Sequence, residues 1–275
     1  MYLQPQNLNE ALSMLQESNP KVIAGGTDVY PTLSAGHQLA KFLDVTRIQG
    51  FNEISSGDGV VRIGPAVTWS DILQVNLPPA FDALKQAAFE VGSVQIQNVG
   101  TIAGNVCNAS PAADGVPPLL ALDAQIELSS SERGTRILPL SKFIKGVRNT
   151  DRKPDELISA IIVKSAPSGM RSAFEKLGSR RYLVISIAMT AVNVLLDENG
   201  LIANVRIAVG SCSAVAVRLH RLEKELQGKD PRDVSILKNH VASLSPLDDV
   251  RGTAVYRLAA VQEQIYRCLR RACDV

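Results

Sequence analysis

An α+β fold in two domains is predicted, and three observations carry that prediction. The chain has 275 residues, 45% of them hydrophobic, which supports two cores at roughly 100 to 200 residues per domain. Short strand-like apolar runs share the sequence with stretches of helical spacing. A strong turn signal, D-E-N-G at Asp197 to Gly200, leads into Leu201 to Val209 and marks an antiparallel pair.

Taken in order, Leu8 to Glu17 has apolar residues at Leu8, Ala11, Leu12 and Leu15, a helical spacing that Asn7 or Asn9 can cap. Lys21 to Ala24 reads as a strand, as does Asp44 to Ile48, and the S-S-G-D-G turn ahead of V-V-R-I-G closes a first lobe near residue 55. Thr68 or Ser70 caps a helix through Leu73, and Pro79 to Val91 forms another with Phe81, Leu84, Ala88 and Phe89 turned inward. Pro117 to Ala124 is compact and apolar. Gln125 to Ser129 then pairs through S-S-E-R-G-T-R with Ile137 to Leu140, and Glu156 to Val163 is the closing strand.

A link at Ala166 to Gly169 divides the chain into residues 1–165, with lobes 1–55 and 56–165, and residues 166–275. In the second part Leu183 to Ala191 is ambiguous between helix and strand, and Val192 to Leu196 alternates. The C-terminal portion is helical with polar connections. Tyr256 to Ala272 is an amphipathic helix whose Arg257, Arg267, Arg270 and Arg271 read as a solvated face.

Two glycine-rich loops say most about function: K-V-I-A-G-G-T-D at Lys21 to Asp28, and N-V-G-T-I-A-G-N-V-C-N-A-S-P-A-A-D at Asn98 to Asp114. Glycine lets backbone N–H groups approach phosphate oxygens, so the two loops together suit a dinucleotide without any lysine. A single G-G after a strand is more often a tight turn. The second loop is the richer, with Gly100 and Gly104 for close approach, Thr101, Asn105, Asn108 and Ser110 for hydrogen bonding, and Asp114 as an acceptor for hydroxyls.

Other chemistries lack their residues. The formal net charge of +2 marks no polyanion partner. Cys107, Cys212, Cys268 and Cys273 have no C-x-x-C spacing, which disfavours a zinc site or an iron–sulfur cluster in this chain. His37, His220 and His240 form no metal set. There is no G-x-S-x-G, Walker A or G-x-G-x-x-G motif. With no signal-peptide pattern and no apolar run of about eighteen residues, a cytoplasmic protein is expected. Hard chemistry is then most economically assigned to a bound cofactor.

The two loops, together with V-R-I-G-P-A-V-T-W, F-E-K-L-G-S-R-R and the closing D-V-R-G-T-A-V-Y-R, give the chain an end-to-end resemblance to the FAD-binding medium subunits of the molybdenum hydroxylases, the xanthine dehydrogenase family. The resemblance implies a two-lobed FAD-binding domain of the PCMH (vanillyl-alcohol-oxidase-like) type, followed by a smaller α+β domain with an antiparallel sheet and helices. It implies FAD in this chain, [2Fe–2S] clusters on a small partner subunit and molybdopterin on a large one, assembled as a dimer of heterotrimers. Electrons would pass from the clusters through FAD to NAD, dioxygen or another acceptor.

Carried over position by position, the resemblance places FAD against Val22, Ile23, Ala24, Gly25, Gly26, Thr27, Asp28 and Val29, and against Thr101, Ile102, Ala103, Gly104 and Asn105. It adds Asp114 as acceptor for a cofactor hydroxyl, Lys176 near the flavin, and apolar contacts from Val91 and Ile158. Read on its own, Lys176 is an exposed lysine or a partner of Glu175, and Val91 and Ile158 suit ordinary core equally well. Two departures stand out. Ala103 replaces a glycine usual in the family, which requires that it avoid positive φ and that its methyl group clear the phosphate. Tyr182 stands where relatives place acidic residues, and stacking on the flavin or burial as a structural tyrosine both suit it. The alternative readings are a stand-alone flavin reductase of the same FAD-fold superfamily and a flavin-free scaffold subunit.

Overall fold

The computed structural model describes residues 1–34, 41–181 and 183–275, so His37 and Tyr182 lie outside the described residues. The N-terminal region consists of β1 (Tyr2–Leu3), α1 (Leu8–Ser18), β2 (Lys21–Ile23), α2 (Tyr30–Ser34) and β3 (Phe42–Asp44). Its three strands form a parallel sheet in the order β1-β3-β2. Asn7 caps α1 by accepting from the Glu10 N–H at 3.0 Å, and Ala11, Leu12 and Leu15 bury the predicted face against Leu43, Val45 and Ile48. Thr46 donates its N–H and hydroxyl to Asp44, so the segment expected to continue as strand turns away instead.

A five-stranded antiparallel sheet follows, in the order β4-β5-β10-β6-β7, from β4 (Ile54–Gly57), β5 (Val60–Ile63), β6 (Gln125–Ser130), β7 (Gly134–Pro139) and β10 (Leu157–Lys164). Between β5 and β6 run α3 (Trp69–Gln74), α4 (Asp82–Glu90), α5 (Val94–Val99), α6 (Ile102–Asn108) and α7 (Val116–Ala121). Between β7 and β10 lie α8 (Leu140–Phe143) and a small hairpin of β8 (Ile144–Gly146) and β9 (Asn149–Thr150). Thr68 and Asp71 form a reciprocal capping box at the start of α3. Phe89, expected to face inward on α4, is 55% exposed; Ala83, Leu84, Ala87 and Ala88 form the buried face.

The second domain is a four-stranded antiparallel sheet of β11 (Arg171–Leu177), β12 (Ala188–Leu196), β13 (Ile202–Gly210) and β14 (Val217–Arg218), with α9 (His220–Leu226) and α10 (Ala254–Cys273). Strand periodicity divides its residues between two cores. Ala173, Ala188, Val192, Val205, Ile207 and Val209 face Val261, Ile265, Cys268 and Leu269 of α10. Phe174, Met189, Ala191 and Ala208 point the other way, into the core of α4 and α7. The sheet is therefore covered on both faces, which hides the alternation and explains why Leu183 to Ala191 was ambiguous in sequence. Only Ala188 onward is strand.

Arg257 corrects the expectation of a solvated basic face on α10. It is buried, donating to the carbonyls of Ile187 and Ser211 and to Asp249 at 2.7 Å. Among the described residues, no helix is long and apolar enough to cross a membrane.

Candidate functional site

The two glycine loops, distant in sequence, meet. A Cβ placed on Gly25 would lie 1.7 Å from the Val99 carbonyl oxygen, so only glycine lets the end of β2 close onto the α5–α6 junction. Gly26 has φ of +70°, and its carbonyl accepts from Val29 and Tyr30, turning the chain into α2. Trp69 of α3 packs at the end of the second loop: a Cβ on Gly115, just after it, would meet the Trp69 ring at 2.4 Å, and one on Gly100 within it would crowd the Ile96 carbonyl at 2.8 Å.

Beside this junction is a cavity of about 880 Å³, within the size range of cofactor sites. Val22 to Val29 line it, with Thr101, Ala103, Gly104, Asn105, Val91 and Ile158. Ile158 stands at a register shift between β10 and β6, a local bulge in the cavity wall. Three expected site residues lie elsewhere. Ile102 is fully buried in the core, and Asp114 and Lys176 do not line the cavity.

The backbone donors suit an anion. Among the described residues, the N–H groups of Gly25, Gly26, Thr27 and Asp28 have no acceptor, nor do those of Thr101 and Ala103. The Thr101 hydroxyl caps α6 by accepting from Gly104 N–H at 3.1 Å. Asn105 Oδ1 is buried without a hydrogen-bond partner, although the residue lines the cavity. Such an atom costs free energy until a donor reaches it. Ala103 lies inside α6, outside the positive-φ set, so its methyl group strains nothing in the backbone.

Asp114 and Lys176 are each other's partners. Lys176 Nζ donates to Asp114 at 2.7 Å and to the Glu90 carbonyl at 3.0 Å; Ser186 Oγ donates to the other Asp114 oxygen at 2.5 Å. Both side chains are buried. Glu175, the alternative partner for Lys176, pairs instead with Arg271 at 2.7 Å. Burial pushes the Asp114 carboxyl above its ordinary range, opposed by the Lys176 ammonium and the Ser186 hydroxyl. The contact to the Glu90 carbonyl ties the pair to the residue next to Val91, which lines the cavity.

Residue-type reasoning missed several lining groups: Trp69, Cys107 and the cations Lys21, Lys41, Arg148 and Arg152. Cys107 is the one cysteine that is not buried. No local sequence signal marks the arginines, which come from the β8–β9 segment and reach the glycine loops only in the folded chain.

Residues 1–164 match the model of the FAD binding domain in molybdopterin dehydrogenase, and residues 172–272 that of the CO dehydrogenase flavoprotein C-terminal domain. The chain belongs to the FAD-binding medium-subunit family of the molybdopterin dehydrogenases. It is 30% identical over 282 residues to the 6-hydroxypseudooxynicotine dehydrogenase complex subunit alpha of Paenarthrobacter nicotinovorans, covering 98% of this chain and 93% of that one. The glyceraldehyde dehydrogenase medium chain of Sulfolobus acidocaldarius is 30% identical over 267 residues, covering 95% and 94%. A crystal structure of a cyanide-inactivated Cu,Mo-CO dehydrogenase superposes with a TM-score of 0.92 at 25% identity, over 99% of this chain and 97% of that one. The chain is thus an FAD-binding subunit of oxidoreductase type, with the two-domain α+β fold of this family.

Proposed function

We propose that this chain carries FAD in the cavity beside its glycine loops and relays electrons from [2Fe–2S] clusters of a small partner subunit to NAD or another acceptor. A large partner subunit would hold molybdopterin and oxidise the organic substrate, the three forming a dimer of heterotrimers. The observation that carries the reading is the set of N–H donors at Gly25 to Asp28, Thr101 and Ala103 that have no acceptor among the described residues, on the two loops that meet at Gly25 and Val99.

The residues fit the cofactor. The donors would hold the diphosphate, Asn105 Oδ1 would accept from a ribose or ribityl hydroxyl, and Val22, Val91 and Ile158 supply apolar wall. Bound FAD supplies the redox chemistry, taking electrons singly and releasing them in pairs. The protein's own work is positioning and electrostatics. The Lys176–Asp114 pair, tied through the Glu90 carbonyl to the residue next to Val91, would hold a buried ammonium beyond that wall, from where Lys176 would favour negative charge on a reduced ring.

The test is a titration of FAD into flavin-stripped protein, alone and with its partner subunits, followed by its visible spectrum. Saturable binding of one FAD per chain is expected. Absence of binding in both preparations would favour the flavin-free scaffold and overturn the proposal.

A further inference from the structure

We propose that the β8–β9 hairpin is a cationic clamp, in which Arg148 at its tip, backed by Arg152, binds the diphosphate of a dinucleotide in the cavity. This rests on the cavity being the dinucleotide site, and it adds a charge contribution that the glycine loops lack.

Three observations converge on Arg148. The first is charge asymmetry: among the described residues the cavity is lined by Lys21, Lys41, Arg148 and Arg152 against a single acid, Asp28. Backbone N–H groups offer dipoles, whereas a diphosphate carries full charges that guanidinium groups match best.

The second is backbone conformation. Arg148 has φ of +56° and Ala109 has φ of +45°, in the left-handed region where glycine would be easier. The two meet, the Arg148 N–H donating to the Ala109 carbonyl at 3.0 Å, which ties the hairpin tip to the end of α6. The Arg148 guanidinium donates to Asn108 Oδ1, holding it over the second glycine loop. A disfavoured conformation that keeps an arginine in a cavity wall is the kind of strain found at ligand sites.

The third is how firmly the hairpin base is held. Arg136 donates to Asp151 and Glu156, each at 2.7 Å, and Lys145 also pairs with Asp151. Arg152 donates to the carbonyls of Lys153, Pro154 and Glu156, so its own guanidinium is fixed beside Cys107.

The experiment compares wild-type protein with Arg148→Gln, Arg148→Lys and Arg148→Gly for binding of FAD and of ADP at low and high salt. Arg148→Gln keeps a side-chain donor for Asn108 and removes the charge; it is expected to weaken both ligands about tenfold and to flatten the salt dependence. Arg148→Lys should restore most of the affinity. Arg148→Gly should weaken both ligands while raising the unfolding midpoint, opposite signs that a merely structural arginine would not produce. Unchanged affinity and salt dependence in Arg148→Gln overturn the clamp. A wild-type protein that binds neither FAD nor ADP overturns the dinucleotide reading of the cavity itself.

Discussion

The two halves of the candidate site are built on opposite principles. At the glycine loops, side chains are withdrawn, backbone donors are left unpaired and the space beside them is open. At Asp114 and Lys176 the reverse holds: a carboxylate, an ammonium and the Ser186 hydroxyl satisfy one another in a buried contact between the domains. Exposed backbone donors beside a cavity leave room for a ligand, whereas a closed ion pair fixes the packing around it. The family resemblance implied ligand contacts at both, and burial and partners show how differently the two are built.

The largest expected effect tests the closed half. Lys176→Met leaves Asp114 buried without its cation, which should cost about 3–5 kcal/mol at neutral pH. Because burial already raises the Asp114 pKa, the folded variant takes up a proton that the unfolded chain releases. Its stability should therefore fall as pH rises above the ordinary carboxylate range, and denaturant unfolding across that range checks the sign. If the variant is as stable as wild type, the closed half is no anchor.

Next comes the open half. Gly25→Ala forces a methyl group onto the Val99 carbonyl and must part the two loops. Overpacking of this kind costs about 1–3 kcal/mol, and FAD affinity should fall with it, measured by flavin fluorescence titration. Retained affinity would show that the loops need not touch to bind.

A smaller effect concerns the hairpin beside the cradle. Lys145 and then Arg136 hold Asp151 down to about 2, and Glu156, although burial pushes it up, is pulled below its ordinary value by Arg136 and the Lys153 N–H. Depressed carboxylates stabilise the fold above their unfolded pKa of about 4 and lose that contribution as pH falls. Acid unfolding of Asp151→Asn should be flatter between about pH 4 and 2 than that of wild type.

The smallest effect is expected from Ala103→Gly. Because Ala103 is helical and unstrained, a glycine there should cost about 0.5–1 kcal/mol and leave FAD affinity unchanged. Tighter binding would mean that the methyl group does touch the cofactor.

The sequence by itself determined the family and the α+β class, and it marked the two glycine loops, because these are written in local patterns. Leu8 to Leu15 spells a helix, the glycine loops spell close backbone approach, and Asn98 to Asp114 carries the resemblance. Tertiary structure alone decided what those residues touch. It turned Arg257 inward and Phe89 outward, paired Lys176 with Asp114, and brought Arg148 from a distant hairpin to the glycine loops. The reason is physical: conformation follows near neighbours in the chain, whereas burial, ion pairing and the charge of a cavity depend on groups that only folding brings together.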